Sequence, residues 1–299
     1  MTFPLPPELV GFADRGPAWA EWVRRLPRLT STLLDEWGLT VDGDPMSGWT
    51  ALVVPVVTEA GERAVVKLVC PGEEEQYEHL ALQRWGGDGA VRLLRADPAR
   101  RSMLLERLHR RDLTAVPVLE AIEIVAGLYP RLHVPALPQL RSQTLYIERW
   151  TDDLARLPRS APVPHRLVEQ AVSLGRDLVV DPASVGTMIH GDLHYQNVLS
   201  GDRAPWLVID PKPTSGDPHY EVAPLLWNRW DELHGNVRDG VRGRFHTIVD
   251  AAGLDEDRAR DWVVVRMVHN AMWEIGDHSE APDHDYLTRC VTIAKAVQD

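Results

Sequence analysis

Cysteine is scarce: Cys70 and Cys290 are the only two, too few for a disulfide framework, and neither has the neighbour spacing of a metal ligand. A reducing cytoplasm is the expected setting. Long apolar runs are missing as well. No stretch approaches the roughly 18 residues that would suggest a membrane span. The opening Met-Thr-Phe-Pro-Leu-Pro-Pro lacks a basic region followed by an apolar core, so no signal peptide is expected. Positive charge is in deficit, with 32 Lys and Arg against 44 Asp and Glu and a formal balance of −12. That argues against a nucleic-acid partner, whose phosphates select basic surfaces, and it leaves room for a cationic ligand. Phenylalanine is rare at three, while tryptophan is plentiful at eleven. Internal repeats and low-complexity tracts are absent.

At 299 residues the chain exceeds the usual single domain, which predicts two lobes. Residues 1–40 read as amphipathic helix, with Trp19, Trp22, Leu26, Leu29, Leu33, Leu34 and Trp37 near helical spacing. Pro27 should kink or divide it, and Gly38 is a stop. From Trp49 the period changes. Val53 to Val57 and Arg63 to Val69 flank a turn at Glu59-Ala-Gly61-Glu62 and predict a hairpin. Helix follows from Glu73 to Trp85, then strands at Ala90–Leu94 and Ser102–Leu108. Beyond Asp112 the apolar period is helical over Val118–His133, Ser142–Leu157 and His165–Val180. It resumes over Tyr220–Trp230, Val237–Ala252, Asp257–Ile275 and Tyr286–Val297. Strands first and helices second predict an α+β architecture.

The chemistry is concentrated in His190-Gly191-Asp192-Leu193-His194-Tyr195-Gln196-Asn197, followed by the apolar run from Trp206 to Ile209 and then Asp210-Pro211. Phosphoryl transfer needs a carboxylate beside the acceptor hydroxyl and oxygen ligands for Mg²⁺ across the β- and γ-phosphates. Taken singly, His190-Gly191-Asp192 reads as a turn, and Ile209-Asp210-Pro211 as a strand end with a helix cap. The ordered set, with an apolar strand between its halves, favours a nucleotide-dependent kinase site.

This H-G-D-L-H-x-x-N with its later I-D-P resembles the aminoglycoside phosphotransferase and choline kinase superfamily. The longer run from Trp206 to Arg229, with I-D-P-K-P, G-D-P and an acidic residue before A-P-L-L, is similar to a narrower group. That group is the streptomycin 6-phosphotransferase and hydroxyurea phosphotransferase family. The resemblance extends from about Trp49 to Trp273, through Val53-Val-Pro-Val, Ala64-Val-Val-Lys67 and Gly89-Ala-Val-Arg-Leu-Leu94. It implies a bilobal protein-kinase-like fold. The small N-lobe, 1–108, would carry the N-terminal helical segment, a five-stranded antiparallel sheet and the helix bearing Glu78. The larger, mostly helical C-lobe, 109–299, would carry the catalytic loop, the Mg²⁺ site and the substrate helices.

The resemblance also implies roles. Asp192 would aim the acceptor hydroxyl and accept its proton late, and Asn197 and Asp210 would hold Mg²⁺. Lys67 would meet the α/β-phosphates of ATP or GTP, oriented by Glu78, with Glu74 and Glu75 as rivals. Ser47-Gly48-Trp49-Thr50 would stand where kinases fold a loop over the phosphates. Glu106, Arg107 and Leu108 would form the hinge whose backbone meets the base. Lys212 would steady the triphosphate or pair with Asp217. His190 reads as a structural hydrogen bonder, and His194 lies near Asp192. Asp217 reads as a helix cap near Pro218, with Glu221 in the first turn.

The acceptor surface should come from the last helices. Glu274, Asp277, Glu280, Asp283 and Asp285 make an acidic patch, with Trp273 beside it and Trp227 and Trp230 upstream. A solvated acidic tail is one reading. A pocket for the guanidinium groups of a cationic acceptor such as streptomycin is the other. Hydroxyurea, an amino alcohol or a sugar are alternative acceptors of the same chemistry. A non-catalytic nucleotide-binding module is a different class, and the joint presence of Lys67, Asp192, Asn197 and Asp210 argues against it.

Overall fold

The stripe of Trp22, Val23, Leu26, Thr30, Leu33, Leu34 and Trp37 recurs at three- and four-residue intervals, and the chain coils there as α2 (Pro17–Trp37), after a short α1 (Pro7–Val10). Pro17 opens α2, where its missing N–H costs nothing, and Gly38 closes it in the left-handed conformation at φ 64°. Of the two outcomes expected at Pro27, division does not occur, and α2 runs through it as one helix. One lost intrahelical bond is outweighed by a buried face that runs the helix's full length. These features come from a computed structural model, which describes residues 3–70, 72, 74–276 and 281–298.

The chain divides into two compact units, residues 1–110 with 199–212, and residues 111–198 with 213–299. The first is built on an antiparallel sheet of six strands: β1 (Leu39–Val41), β2 (Met46–Ser47), β3 (Ala51–Thr58), β4 (Arg63–Val69), β5 (Leu93–Asp97) and β6 (Ser102–Glu106). Their order is β1-β3-β4-β6-β5, and β2 pairs with β3. The period of two sends Leu52, Val54 and Val56 of β3 and Ala64, Val66 and Leu68 of β4 into one core with the buried face of α2. It therefore turns Lys67 to the opposite face. The helix α3 (Glu78–Trp85) starts on Glu78 and ends at Gly86, φ 59°.

The sheet thus has six strands where the resemblance implied five and the residue pattern gave four, because the short β1 and β2 carry little apolar signal. A simple break after residue 108 also differs from the observed division. Residues 199–212 pack with the first unit because Val208 bridges Ala90 in parallel: its N–H donates to the Gly89 carbonyl (3.0 Å) and its carbonyl accepts from Val91 (2.9 Å).

The second unit is mostly helical: α4 (Val118–Leu132), α5 (Gln143–Ala155), α6 (His165–Val180), α7 (Ala223–Trp227), α8 (Val237–Ala252), α9 (Glu256–Gly276) and α10 (His284–Ala296). From Trp262 to Met272 every residue of α9 is buried, which makes it the central helix. Val134–Pro135, Thr187–Ile189 and Thr214–Gly216 form a small antiparallel sheet with Thr187–Ile189 in the middle. The helix expected over Tyr220–Trp230 is instead a 3₁₀ turn, Pro218–Val222, followed by the five-residue α7. Among the described residues, no helix is long and apolar enough to cross a membrane.

Candidate active site

The chain contains three lysines, Lys67, Lys212 and Lys295, so almost all of its positive charge is arginine. In the first unit, Lys67 is buried and its Nζ donates to Glu78 Oε1 at 2.6 Å and to Asp210 Oδ1. Glu78 is 1% exposed. Burial alone would lower the ammonium's pKa, but the charges of Asp210 and then Glu78 outweigh it and hold the group well above its ordinary value. Lys67 therefore stays charged. Asp210 adopts φ 58°, a left-handed conformation unusual for a residue other than glycine, and more so just before a proline. Strain of this kind, of order 1–3 kcal/mol, persists where the surroundings enforce it, and it clusters at functional sites.

Glu106 and Leu108 lie at the end of β6 and just beyond it. The Glu106 carboxylate accepts from the Arg92 N–H (2.7 Å) and from Arg203 Nη2 (2.7 Å), which fixes the strand end. Leu108 packs over Gly201 so closely that a Cβ there would come within 3.0 Å of its Cδ2. Lys212 is half-buried in the same unit.

In the second unit, the loop 190–197 is held by side chains. All four backbone polar groups of Gly191 and Asp192 are taken. The Gly191 N–H donates to Glu221 Oε1 (2.8 Å), and its carbonyl accepts from Arg266 Nη2 (3.2 Å). The Asp192 N–H donates to His190 Nδ1 (3.3 Å), and its carbonyl accepts from Asn197 Nδ2 (2.8 Å). Gly191 has φ 84°, a conformation in which any side chain would be strained. His194 caps the 3₁₀ turn Tyr195–Asn197 through the Gln196 N–H (3.3 Å). With its amide nitrogen engaged, Asn197 keeps its carbonyl oxygen as the group it can offer a cation. Asp210 offers a carboxylate, and such oxygen donors suit Mg²⁺.

Glu221, read from sequence as a first-turn acid, is fully buried. Besides Gly191 it meets His133 Nε2 at 2.7 Å. Arg266, 8% exposed, also donates to the Tyr220 carbonyl (3.1 Å) and stacks over the Tyr220 ring at 4.0 Å. Neither Arg266 nor His133 stands out in the sequence. Asp217 does cap the turn at Pro218, through the His219 N–H (3.0 Å), and it also accepts from Trp262 Nε1 (2.6 Å) and Arg258 Nε (2.6 Å).

Burial would raise the Glu221 carboxyl, but the bond and charge of His133, the charge of His190 and the Gly191 N–H together hold it below its ordinary value. The sign follows. A depressed folded pKa means stabilisation that is present above the unfolded value near 4.5 and is lost as the pH falls below it. Glu221→Gln should cost about 1.5–3 kcal/mol at pH 7, the worth of hydrogen bonds to a charged group. That gap should narrow below pH 4.5. Urea titrations at pH 7 and 3.5 measure it, and a gap that does not change with pH would refute the assignment.

The residues proposed for the acceptor are only partly free to serve it. The Trp227 ring is covered by Arg266 (4.9 Å) and Trp230 by Arg289 (5.3 Å). Glu274 Oε1 accepts the Asp283 N–H (2.7 Å), and the Asp283 side chain caps α10 through Asp285 and Tyr286. Trp273 stands edge-on to Trp150 at 4.7 Å and is 39% exposed. Asp277 and Glu280 lie outside the described residues.

A sheet unit with a buried lysine–glutamate pair, and a helical unit with an Asp-bearing loop braced on every side, define the protein-kinase-like class of phosphotransferases. The comparisons narrow this. The family model described as aminoglycoside/hydroxyurea antibiotic resistance kinase matches residues 36–277, and the chain belongs to that family. It is 40% identical to a streptomycin 6-kinase from Streptomyces glaucescens, over 96% of this chain and 93% of that one. It is 38% identical to a hydroxyurea phosphotransferase from Kitasatospora aureofaciens, covering 98% and 86%. Among solved structures, a thermostable mutant of the aminoglycoside phosphotransferase APH(4)-Ia, in a ternary complex with AMP-PNP and hygromycin B, has the same fold. It superposes with a TM-score of 0.63 at 16% identity, over 90% of this chain and 98% of that one. The protein is thus a kinase.

Proposed function

We propose that the protein transfers the γ-phosphoryl group of ATP to a hydroxyl of streptomycin. The observation that carries the reaction is the fourfold hold on Gly191 and Asp192, which fixes one carboxylate in place on a braced loop. An alkyl hydroxyl is a far weaker acid than a carboxyl group, so Asp192 need not remove the proton early. It aims the acceptor oxygen and takes the proton late, as the bond to phosphorus forms. Asn197 and Asp210 would hold Mg²⁺, which supplies neutralising charge to the phosphate oxygens. Lys67 adds a permanent positive charge for the α/β-phosphates, kept in place by Glu78. The first unit, with the strand end at Glu106 and Leu108 and with Lys212, binds the nucleotide, and the second binds the acceptor. The reaction belongs in the cytoplasm, where ATP is supplied.

Streptomycin is supported by the relative at 40% identity and by the −12 charge balance, which suits a cationic acceptor. A neutral acceptor of the hydroxyurea kind is the second reading. One observation favours it: Glu274 and Asp283, which would attract a cation, are engaged at the start of α10. The test is phosphate transfer from MgATP to each compound over a range of salt. Streptomycin should be phosphorylated, with a KM that rises as salt screens the pocket. Turnover of hydroxyurea alone, or a streptomycin KM indifferent to salt, would overturn the cationic reading.

A further inference from the structure

The helical segment before residue 36 lies outside the stretch that the family model matches, yet it reaches the sheet at one informative place. Arg15 Nη1 donates to the carbonyl of Trp49 at 2.9 Å. Trp49 sits in the turn Gly48–Thr50 between β2 and β3 and is 79% exposed, the most exposed large apolar side chain among the described residues. The other face of this contact is prepared. The Arg15 guanidinium lies 3.7 Å over the Phe12 ring and 4.9 Å from Trp19, and it is 5.3 Å from the Trp49 ring. Phe12 and Trp19 meet edge to face and pack on the core that α2 shares with the sheet. The planar fork is thus stacked on a rigid aromatic post, with one edge left to hold a carbonyl. Gly16, at φ 137°, makes the sharp turn between the 3₁₀ segment that ends at Arg15 and the start of α2.

What Arg15 holds matters because of register. Lys67 pairs with Val53 across the β3–β4 ladder, so the turn at Thr50 lies three residues farther along β3. At about 3.4 Å per residue that is ~10 Å from the lysine, within reach of a phosphate chain bound there. The far side of the turn is tied down, because the Cys70 N–H donates to the Thr50 carbonyl at 2.8 Å. Trp49 on the near side is fastened by Arg15.

We propose that Arg15 is a positioning residue for the nucleotide, fastening through the Trp49 carbonyl the turn that closes over the phosphates. This rests on the ATP-dependent reading given above. Arg15 is exposed, and α2 stays on the sheet through Trp22, Leu26, Leu33 and Trp37, so its removal should leave the fold intact. The test is calorimetric titration of the full-length protein with MgATP, without any acceptor, beside thermal melts. Arg15→Ala should weaken ATP binding about fivefold, because only part of the worth of one charged hydrogen bond and its cation–π support is passed on to the nucleotide. The melting temperature should fall by no more than a few degrees, and the KM for acceptor should not change. Arg15→Lys should recover part of the affinity, since an ammonium keeps one donor and the charge. Unchanged ATP affinity in Arg15→Ala overturns the proposal, and so does a fall in melting temperature as large as that of a core substitution, which would make Arg15 a structural strut. Failure of the parent protein itself to bind ATP would instead refute the nucleotide reading on which the proposal stands.

Discussion

Asp192→Asn should retain MgATP binding and lose turnover by about two to four orders of magnitude, the range for removing a positioned acid–base group. The substitution is nearly isosteric. Two bonds that place this residue are made by its backbone, the N–H to His190 and the carbonyl to Asn197, and these survive in the variant. What would be lost, on the proposed mechanism, is the negative oxygen that orients the acceptor and receives its proton. Steady-state kinetics should therefore show kcat collapsing while the KM for ATP moves less than about twofold. Near-normal kcat would remove Asp192 from the chemistry and leave the braced loop without a purpose.

The second large effect is on stability. Lys67→Met should destabilise the protein by about 3–5 kcal/mol, because it leaves Glu78 as a buried carboxylate without its cation. Glu78 is 1% exposed, and Lys67 donates to it at 2.6 Å. The double variant Lys67→Met with Glu78→Leu should recover much of that loss, since both deeply buried charges are then gone and the volume is filled, while Asp210, 31% exposed, keeps access to water. Denaturant unfolding of the three proteins decides it. If the double variant is as unstable as the single one, the pair is not what holds α3 to β4. The pH dependence has a definite sign. The ammonium's folded pKa lies above its ordinary 10.5, so the contribution of Lys67 is complete below 10.5 and is lost only as pH rises through the higher folded value. No weakening from this group is expected between pH 6 and 9.

The parts of the site that can be read from sequence are those whose geometry is local. His190 to Asn197 is eight residues, and the bond from Asn197 to the Asp192 carbonyl spans five. The approach of Glu78 to Lys67 follows from one strand leading through a short connection into one helix, eleven residues apart. What sequence does not reveal is the bracing that arrives from far along the chain: Glu221 from 30 residues, Arg266 from 75, and Arg203 reaching Glu106 from 97. Glu221 and Arg266 carry no local signal, because a glutamate in a first turn and an arginine in a long helix are ordinary until packing buries them. The acidic patch is legible only as charge, for the complementary reason. Charge counting cannot distinguish a carboxylate facing a ligand from one that caps a helix, and Glu274 and Asp283 take part in starting α10. Pro27 and the faint strands β1 and β2 show the same limit in the fold, where tertiary burial overrides local propensity.

The burial of Lys67 has a practical side in covalent chemistry. Reagents that acylate amines need the neutral nitrogen, and between two carboxylates that form is suppressed at ordinary pH. With only two other lysines in the chain, Lys295 exposed and Lys212 half-buried, labelling or surface attachment through side-chain amines is directed mainly to the last helix. The protein can therefore be tethered through α10 for single-molecule or surface measurements without touching the ammonium that pairs with Glu78 and Asp210.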